Sequence, residues 1–213
     1  MSKNELYQKL LKQARRNQIL FKYVLNDVWF ALADNMMFVK HDMKKHFVMP
    51  LKSNRKVALS LAQKRRGRFV SVETLELQEN AVQRIYLEGV DFPLLLVQQV
   101  FENEDGSRGI QSLVTSDTTL TRDEILSIYH KRWNIEPYHK SLKQNAFLEK
   151  SPTQTVVTQT NHFFAALCGY IKLELLKSST SMNHFALKSK PYFSALQSAY
   201  RRLNSLQTVP LAA

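Results

Sequence analysis

The chain has a single cysteine, Cys168. That excludes a disulfide framework and a zinc site built on paired thiolates. No apolar run reaches the roughly 20 residues that a membrane span needs, and "HFFAALCGYI" is about half of that. No secretory leader is legible, because "MSKNELYQKLLKQARR" is polar and basic from the start. Internal repeats and low-complexity linkers are also missing. Acidic residues are scarce: 18 Asp and Glu stand against 30 Lys and Arg, for a formal charge of +12. These absences point to a reducing, cytoplasmic setting and argue against a membrane. The cationic excess favours a polyanionic partner, of which nucleic acid is the commonest. What remains is a chain of 213 residues, 44% hydrophobic, enough for one large domain or two small ones with a packed core.

Periodicity sets out the elements. Residues 1–18 carry Leu6, Leu10 and Leu11 on one helical stripe. "ILFKYVLND" has the length of a buried strand ending at Asp27, "VWFALADNMMFVKHDMKK" suits a helix, and "HFVMPLKSN" suits a strand. Pro50 argues that this last strand is an edge or is bulged. Residues 55–118 alternate as short β runs, "KVALSLA", "RFVSVETLEL", "VQRIYLEG", "FPLLLVQQVF" and "IQSLVTSD". Turn signals separate them at "RRGR", "EGVDFP" and "NEDGSRG". Thr121 followed by Glu124 is a capping box. It opens helical stretches at about 121–146, 155–177 and 183–205. The second of these runs from "SPTQTVVTQT" into a helix expected to pack as core behind Glu136. Charge is uneven. Lys40 to Arg68 holds ten cations and one acid, a candidate phosphate surface, although "QKRRGR" can also be a solvated loop. Glu73 to Asp105 holds eight acids and one Arg, and should face away from DNA.

"IYHKRWNIEPYHKSLKQ" carries the chemistry. On one continuous helix Tyr129, Arg132, Glu136 and Lys143 would fall within about 60° of arc. A phenol, a guanidinium, a carboxylate and an ammonium would then form a column. An Arg132–Glu136 pair at spacing four would be the ordinary structural account, worth only a few tenths of a kcal/mol. Pro137 removes the hydrogen bond back to Trp133, so a kink or an early helix end beside Glu136 is expected.

The spacing Y-x2-R-x3-E-x6-K, complete here, resembles the signature of bacterial cut-and-paste transposases of the insertion-sequence-four group. These are DDE transposases with a ribonuclease H-like fold. "VLNDVWF" resembles the segment bearing their second catalytic Asp, and "KSNR" the strand after it. The resemblance spans about residues 20–178. It implies an α/β fold: a partial ribonuclease H-like catalytic domain with a β-rich insertion between the second Asp and the Glu, followed by C-terminal helices. The expected division is 1–54 for the partial core, 55–118 for the insertion and 119–213 for the helical part. It implies that Asp27 and Glu136 ligate Mg²⁺ or Mn²⁺ and are catalytic. It implies that Arg132, Lys143 and Tyr129 hold phosphates or a displaced base. Lys52 and Arg55 would track the DNA backbone. The implied partners are transposon ends and target DNA, with a second copy or a full-length transposase, in the bacterial cytoplasm at the nucleoid.

The family's first Asp has no counterpart. Ahead of Asp27 the only acid is Glu5, on a helical segment. Asp34 and Asp42 fall on the next helix, where solvated acids are ordinary. The chain is therefore expected to be the C-terminal part of a transposase, with exposed sheet edges, low stability and little strand cleavage alone. The rival expectation is a non-catalytic fragment that binds DNA or transposase as an inhibitor. His130, His139 and His162 lack metal-ligand spacing. Trp29 and Trp133 can stack on bases, but buried indoles are the commoner outcome.

Overall fold

Ser2 and Glu5 close a reciprocal capping box that starts α1 (Lys3–Arg16) in the computed structural model. Residues 1–75, 77, 81–102, 105–151 and 154–207 are described. The chain forms two compact units, residues 1–133 and 134–213.

In the first unit α1 is followed by β1 (Tyr23–Leu25), a 3-10 turn (Val28–Phe30) and α2 (Ala33–Met37). A π turn over Phe38–Asp42 extends α2. Then come β2 (His46–Leu51), β3 (Lys56–Ala58), α3 (Leu61–Arg65) and β4 (Val70–Ser71). They are followed by β5 (Gln83–Leu87), β6 (Leu94–Glu102), β7 (Arg108–Thr115) and α4 (Arg122–His130). The seven strands make one sheet in the order β1-β2-β7-β6-β5-β3-β4. β1 and β2 are parallel, and the other pairings are antiparallel. The fold of this unit is mixed α/β.

Alternation along the central strands sends side chains to two cores. Phe47, Met49, Leu94, Leu96 and Val114 join Met36 and Val39 on one face. Val48, Leu95, Val97 and Leu113 meet Ile125 and Tyr129 of α4 on the other. Both faces of the middle strands are buried, which is why "FVMPL" and "LLLV" read as continuous apolar runs. α4 opens on the expected capping box, Thr121 with Glu124.

Three expectations need correction here. β2 lies inside the sheet, between β1 and β7. Pro50 pairs with Leu113 of β7, two residues beyond the last β1 pairing at Val48. β2 is laddered on one side only at that point, where a residue without an N–H is tolerated. "QKRRGR" is not all loop: Ser60 caps α3 by accepting the Gln63 N–H, and Gly67 ends the turn at φ 66°. The single helix over 28–45 is three pieces, because the segment turns at Ala31–Leu32 and widens into the π turn. Of the acidic stretch, Glu76, Glu79 and Glu104 lie outside the described residues, as does part of "NEDGSRG".

The second unit holds α5 (Ile135–Gln144), a 3-10 turn (Leu148–Lys150), α6 (Val156–Thr180) and α7 (His184–Gln207). Tyr138 of α5 meets Tyr170 of α6 edge to face at 4.9 Å. His184 of α7 joins them: its Nδ1 lies 2.6 Å from Ser141 Oγ, and Nε2 lies 3.2 Å from Glu174 Oε1. α6 is not the core helix that its apolar content suggested. Only Ala166 is buried, and Phe163, Phe164, Ile171 and Leu175 are exposed. Its apolar residues are spread around the helix rather than gathered in one stripe. No helix among the described residues is long and apolar enough to cross a membrane.

Candidate functional site

Asp27 leaves the C-terminal end of β1 and Lys52 that of β2. The two strands run parallel, so both residues emerge at the same end of the sheet. Asp27 is exposed and caps the 3-10 turn, its Oδ1 accepting the Val28 N–H. The residue before it is held from two sides. The Asn26 amide donates to the Tyr7 hydroxyl at 2.8 Å, and the Asn26 carbonyl accepts from the Tyr129 hydroxyl at 3.4 Å. The residues after it are held by Asn35, which is fully buried and donates to the Phe30 carbonyl at 3.1 Å. Asn35 also bonds Asn4 and Gln8 of α1. Burial pushes the Tyr7 phenol up to about 12, against the pull of the Asn26 bond.

Tyr129 and Arg132 stand beside this loop. Tyr129 is buried, and Ile125, four residues earlier, packs with it on the sheet. Burial raises the Tyr129 phenol above its ordinary value; the Arg132 guanidinium opposes that, and the Asp27 carboxylate adds to it. Arg132 lies over the Tyr129 ring at 5.5 Å and near the Trp133 ring at 5.9 Å. The first unit thus brings together Asp27, Tyr129 and Arg132.

Lys52 and Arg55 bracket a fixed turn. The Arg55 N–H donates to the Lys52 carbonyl at 3.0 Å. Ser71 and the Glu73 N–H both donate to the Ser53 carbonyl. Lys52 is exposed and its ammonium sits 5.3 Å from the Trp29 ring. Trp29 is 74% exposed and Trp133 51% exposed, so neither is the buried indole expected. In the 3-10 turn it is Phe30 that faces inward, stacking on Tyr7 at 5.1 Å.

The continuous helical column is also corrected. α4 ends at His130, a 3-10 turn covers Lys131–Asn134, and α5 begins at Ile135. Pro137 falls in the first turn of α5, where a missing N–H costs nothing. The chain breaks ahead of the proline, so the four residues do not lie on one continuous α-helix. Within α5, Glu136 and Lys143 are both exposed. Seven residues apart, they lie about 20° from each other around the helix. Glu136 belongs to the first turn and Lys143 to the last, each complementing the helix dipole. Asp27 and Glu136 stand on different units. Glu5 is engaged as the α1 cap, and Asp34 and Asp42 are exposed on the α2 segment.

Sequence reasoning missed Asp117. It is buried at the end of β7, accepting hydrogen bonds from Tyr23 at 2.7 Å and from Thr119 at 2.6 Å. Burial alone would raise this carboxyl, but the bonds from Thr119 and Tyr23 outweigh it and hold the group well below the ordinary range. The signal was too slight to find: Ser-Asp-Thr-Thr reads as an ordinary turn.

An exposed carboxylate at a strand end, with a guanidinium and a phenol beside it, can hold a cation and a phosphate side by side. The chain belongs to the transposase DDE domain family, whose model matches residues 1–171. No curated protein matched the chain. The family generally uses divalent metal ions. Among the described residues no three His, Cys, Asp or Glu side chains cluster to hold an ion. Asp27, exposed at a strand end, offers one carboxylate and fits Mg²⁺ on narrower terms. That ion takes one or two carboxylates and fills its shell with water and substrate phosphate oxygens.

Proposed function

We propose that this chain serves DNA transposition of the insertion-sequence-four type and contributes two of the acids of a ribonuclease H-like DDE site, Asp27 and Glu136. The observation that carries the proposal is the anchored Asp27 loop with Tyr129 and Arg132 against it, in a chain of the transposase DDE domain family. Asp27 and Glu136 would hold Mg²⁺ or Mn²⁺, which when bound would polarise a scissile phosphate and lower the pKa of a water. Arg132 would grip that phosphate through its fork of N–H donors. Tyr129 would orient Arg132 beneath its ring face and keep the Asp27 loop in place. Lys143, Lys52 and Arg55 would neutralise backbone phosphates on either side. The substrates would be transposon-end and target DNA, and a second copy or a full-length transposase would join the assembly at the nucleoid.

Phosphoryl transfer depends on positioning, and two carboxylates fix a metal pair poorly. Residues 1–213 by themselves should therefore cleave little without a further carboxylate. A second reading, a non-catalytic binder of DNA or transposase that inhibits, draws on the lack of a three-ligand cluster among the described residues. The test is cleavage of transposon-end DNA with Mg²⁺ or Mn²⁺, by the chain alone and with a segment supplying the third acid. Glu136→Ala should abolish the complemented activity and leave DNA affinity within about twofold, as expected for a group acting on the reacting centre. Affinity that falls steeply with salt, without any metal-dependent cleavage in the complemented reaction, would favour the inhibitor and refute the catalytic role.

A further inference from the structure

α5 carries Glu136 and Lys143 on one side and is held from another. Ser141, five residues beyond Glu136, lies about 140° around the helix from it. It is buried, and its Oγ stands 2.6 Å from Nδ1 of His184, which opens α7 and is 8% exposed. The Asn145 amide donates to the same Oγ at 3.0 Å. The hydroxyl proton is therefore left for Nδ1, and the ring proton sits on Nε2, 3.2 Å from the Glu174 carboxylate. α6 backs the ring: Tyr170 meets it edge to face at 5.3 Å and donates to Glu174 at 2.9 Å. One turn further along α7, Lys188 donates to the carbonyl of Gln144, the last residue of α5, at 2.7 Å. Its ammonium also lies 4.2 Å from the Phe147 ring. Little else is buried. Among the described residues of this unit the buried ones are Ser141, Leu142, Ala166, His184 and Leu187. Three apolar side chains fix neither the rotation nor the register of a helix, whereas a buried directional bond fixes both.

We propose that His184 is a positioning residue for Glu136. Its bond to Ser141, with the Lys188 bond to Gln144, makes α7 a brace that sets the rotation of α5 and so the aim of the carboxylate. The inference rests on the transposition reading above, which makes Glu136 a metal ligand, and adds a residue of another helix that acts on it through Ser141. A displacement of about 1 Å is enough to slow a positioned reaction roughly 100-fold.

The full chain, complemented by the segment that supplies the third acid, is assayed for cleavage of transposon-end DNA with Mg²⁺ and for DNA affinity. His184→Ala should lower the rate at saturating DNA roughly 10- to 100-fold and leave affinity within about twofold. Ser141→Ala should do the same. Conservative variants separate the two ring nitrogens. An Asn amide oxygen falls near the Nδ1 position and can keep the Ser141 bond, so His184→Asn should restore the rate to within about threefold. His184→Gln reaches the Nε2 position alone and should not restore it. A second readout needs no activity. Amide hydrogen exchange should quicken across residues 135–144 in both alanine variants and stay unchanged in β6 and β7. Far-UV circular dichroism checks that each variant folds, and where His184→Ala does not, the Asn and Gln pair decides. Equal rates for that pair, a fall in affinity matching the fall in rate, or exchange in α5 unaltered by either alanine would overturn the brace. No cleavage by the unsubstituted, complemented chain would overturn the transposition reading, and the exchange data would then decide by themselves whether α7 braces α5.

Discussion

Asp117→Asn isolates one charge with almost no change of shape. The side chain is 6% exposed, and its two oxygens accept from the Tyr23 hydroxyl, the Thr119 hydroxyl and the Thr119 N–H. Lys22 lies 3.5 Å away but is 67% exposed, so it adds little. An amide keeps one acceptor oxygen and turns an NH₂ toward the donors at the other. At ~1.5–3 kcal/mol for a hydrogen bond to a charged group, the substitution should cost about 2–3 kcal/mol near neutral pH. The pH dependence has a definite sign. The native carboxyl lies below its unfolded value of about 3.9, so its stabilisation is complete above that pH and is lost as pH falls toward the native value. The gap between wild type and variant should then narrow by ~1.4 kcal/mol per pH unit below about pH 4. Urea unfolding followed by circular dichroism at several pH values measures it. A gap under about 0.5 kcal/mol at neutral pH, or one as wide at about pH 3 as at pH 7, would refute the account of this latch.

Asn35→Ala removes a fully buried amide with three partners, Gln8, Asn4 and the Phe30 carbonyl. Stability should fall by about 2–4 kcal/mol, and amide exchange in residues 27–31 should speed up before that in β6 and β7. Gly109→Ala should be mild despite appearances. The new methyl would meet the Phe101 ring edge, but that ring is 45% exposed and can swing aside. A loss under about 1 kcal/mol in thermal unfolding is expected, and a larger loss would mean that the ring is pinned.

The parts legible in the sequence were those written locally. The Thr121–Glu124 box marked the start of α4 because both partners lie within one turn. β5, β6 and β7 were legible because short apolar runs are bounded by glycine turns, with Gly89 and Gly106 at φ 75° and 78°. α3 escaped because five residues are too few for a period to declare itself, although Ser60 and Gly67 marked both its ends. The helix break before Glu136 was expected at the proline but falls ahead of it, since a first-turn proline fits the helix that follows. Asp117 could not be found at all. Its partner Tyr23 is 94 residues away, and no local pattern encodes such a meeting.

The role of α1 follows from the same distinction. Its sequence advertises a basic amphipathic helix, yet none of its residues is fully buried. What docks it is largely polar: Tyr7 to Asn26, and Asn4 and Gln8 to Asn35. An apolar stripe could dock in several neighbouring registers, whereas directional hydrogen bonds to two asparagines admit few. Those two asparagines bracket Asp27, one directly before it and one holding the Phe30 carbonyl after it. α1 therefore acts as a clamp on the carboxylate's loop. Substitutions on its polar face should disturb Asp27 even where they leave the basic face unchanged. Lys9, by contrast, could be neutralised at the expense of charge alone, whereas Lys12 would also lose its contact with the Phe38 ring, 5.3 Å away.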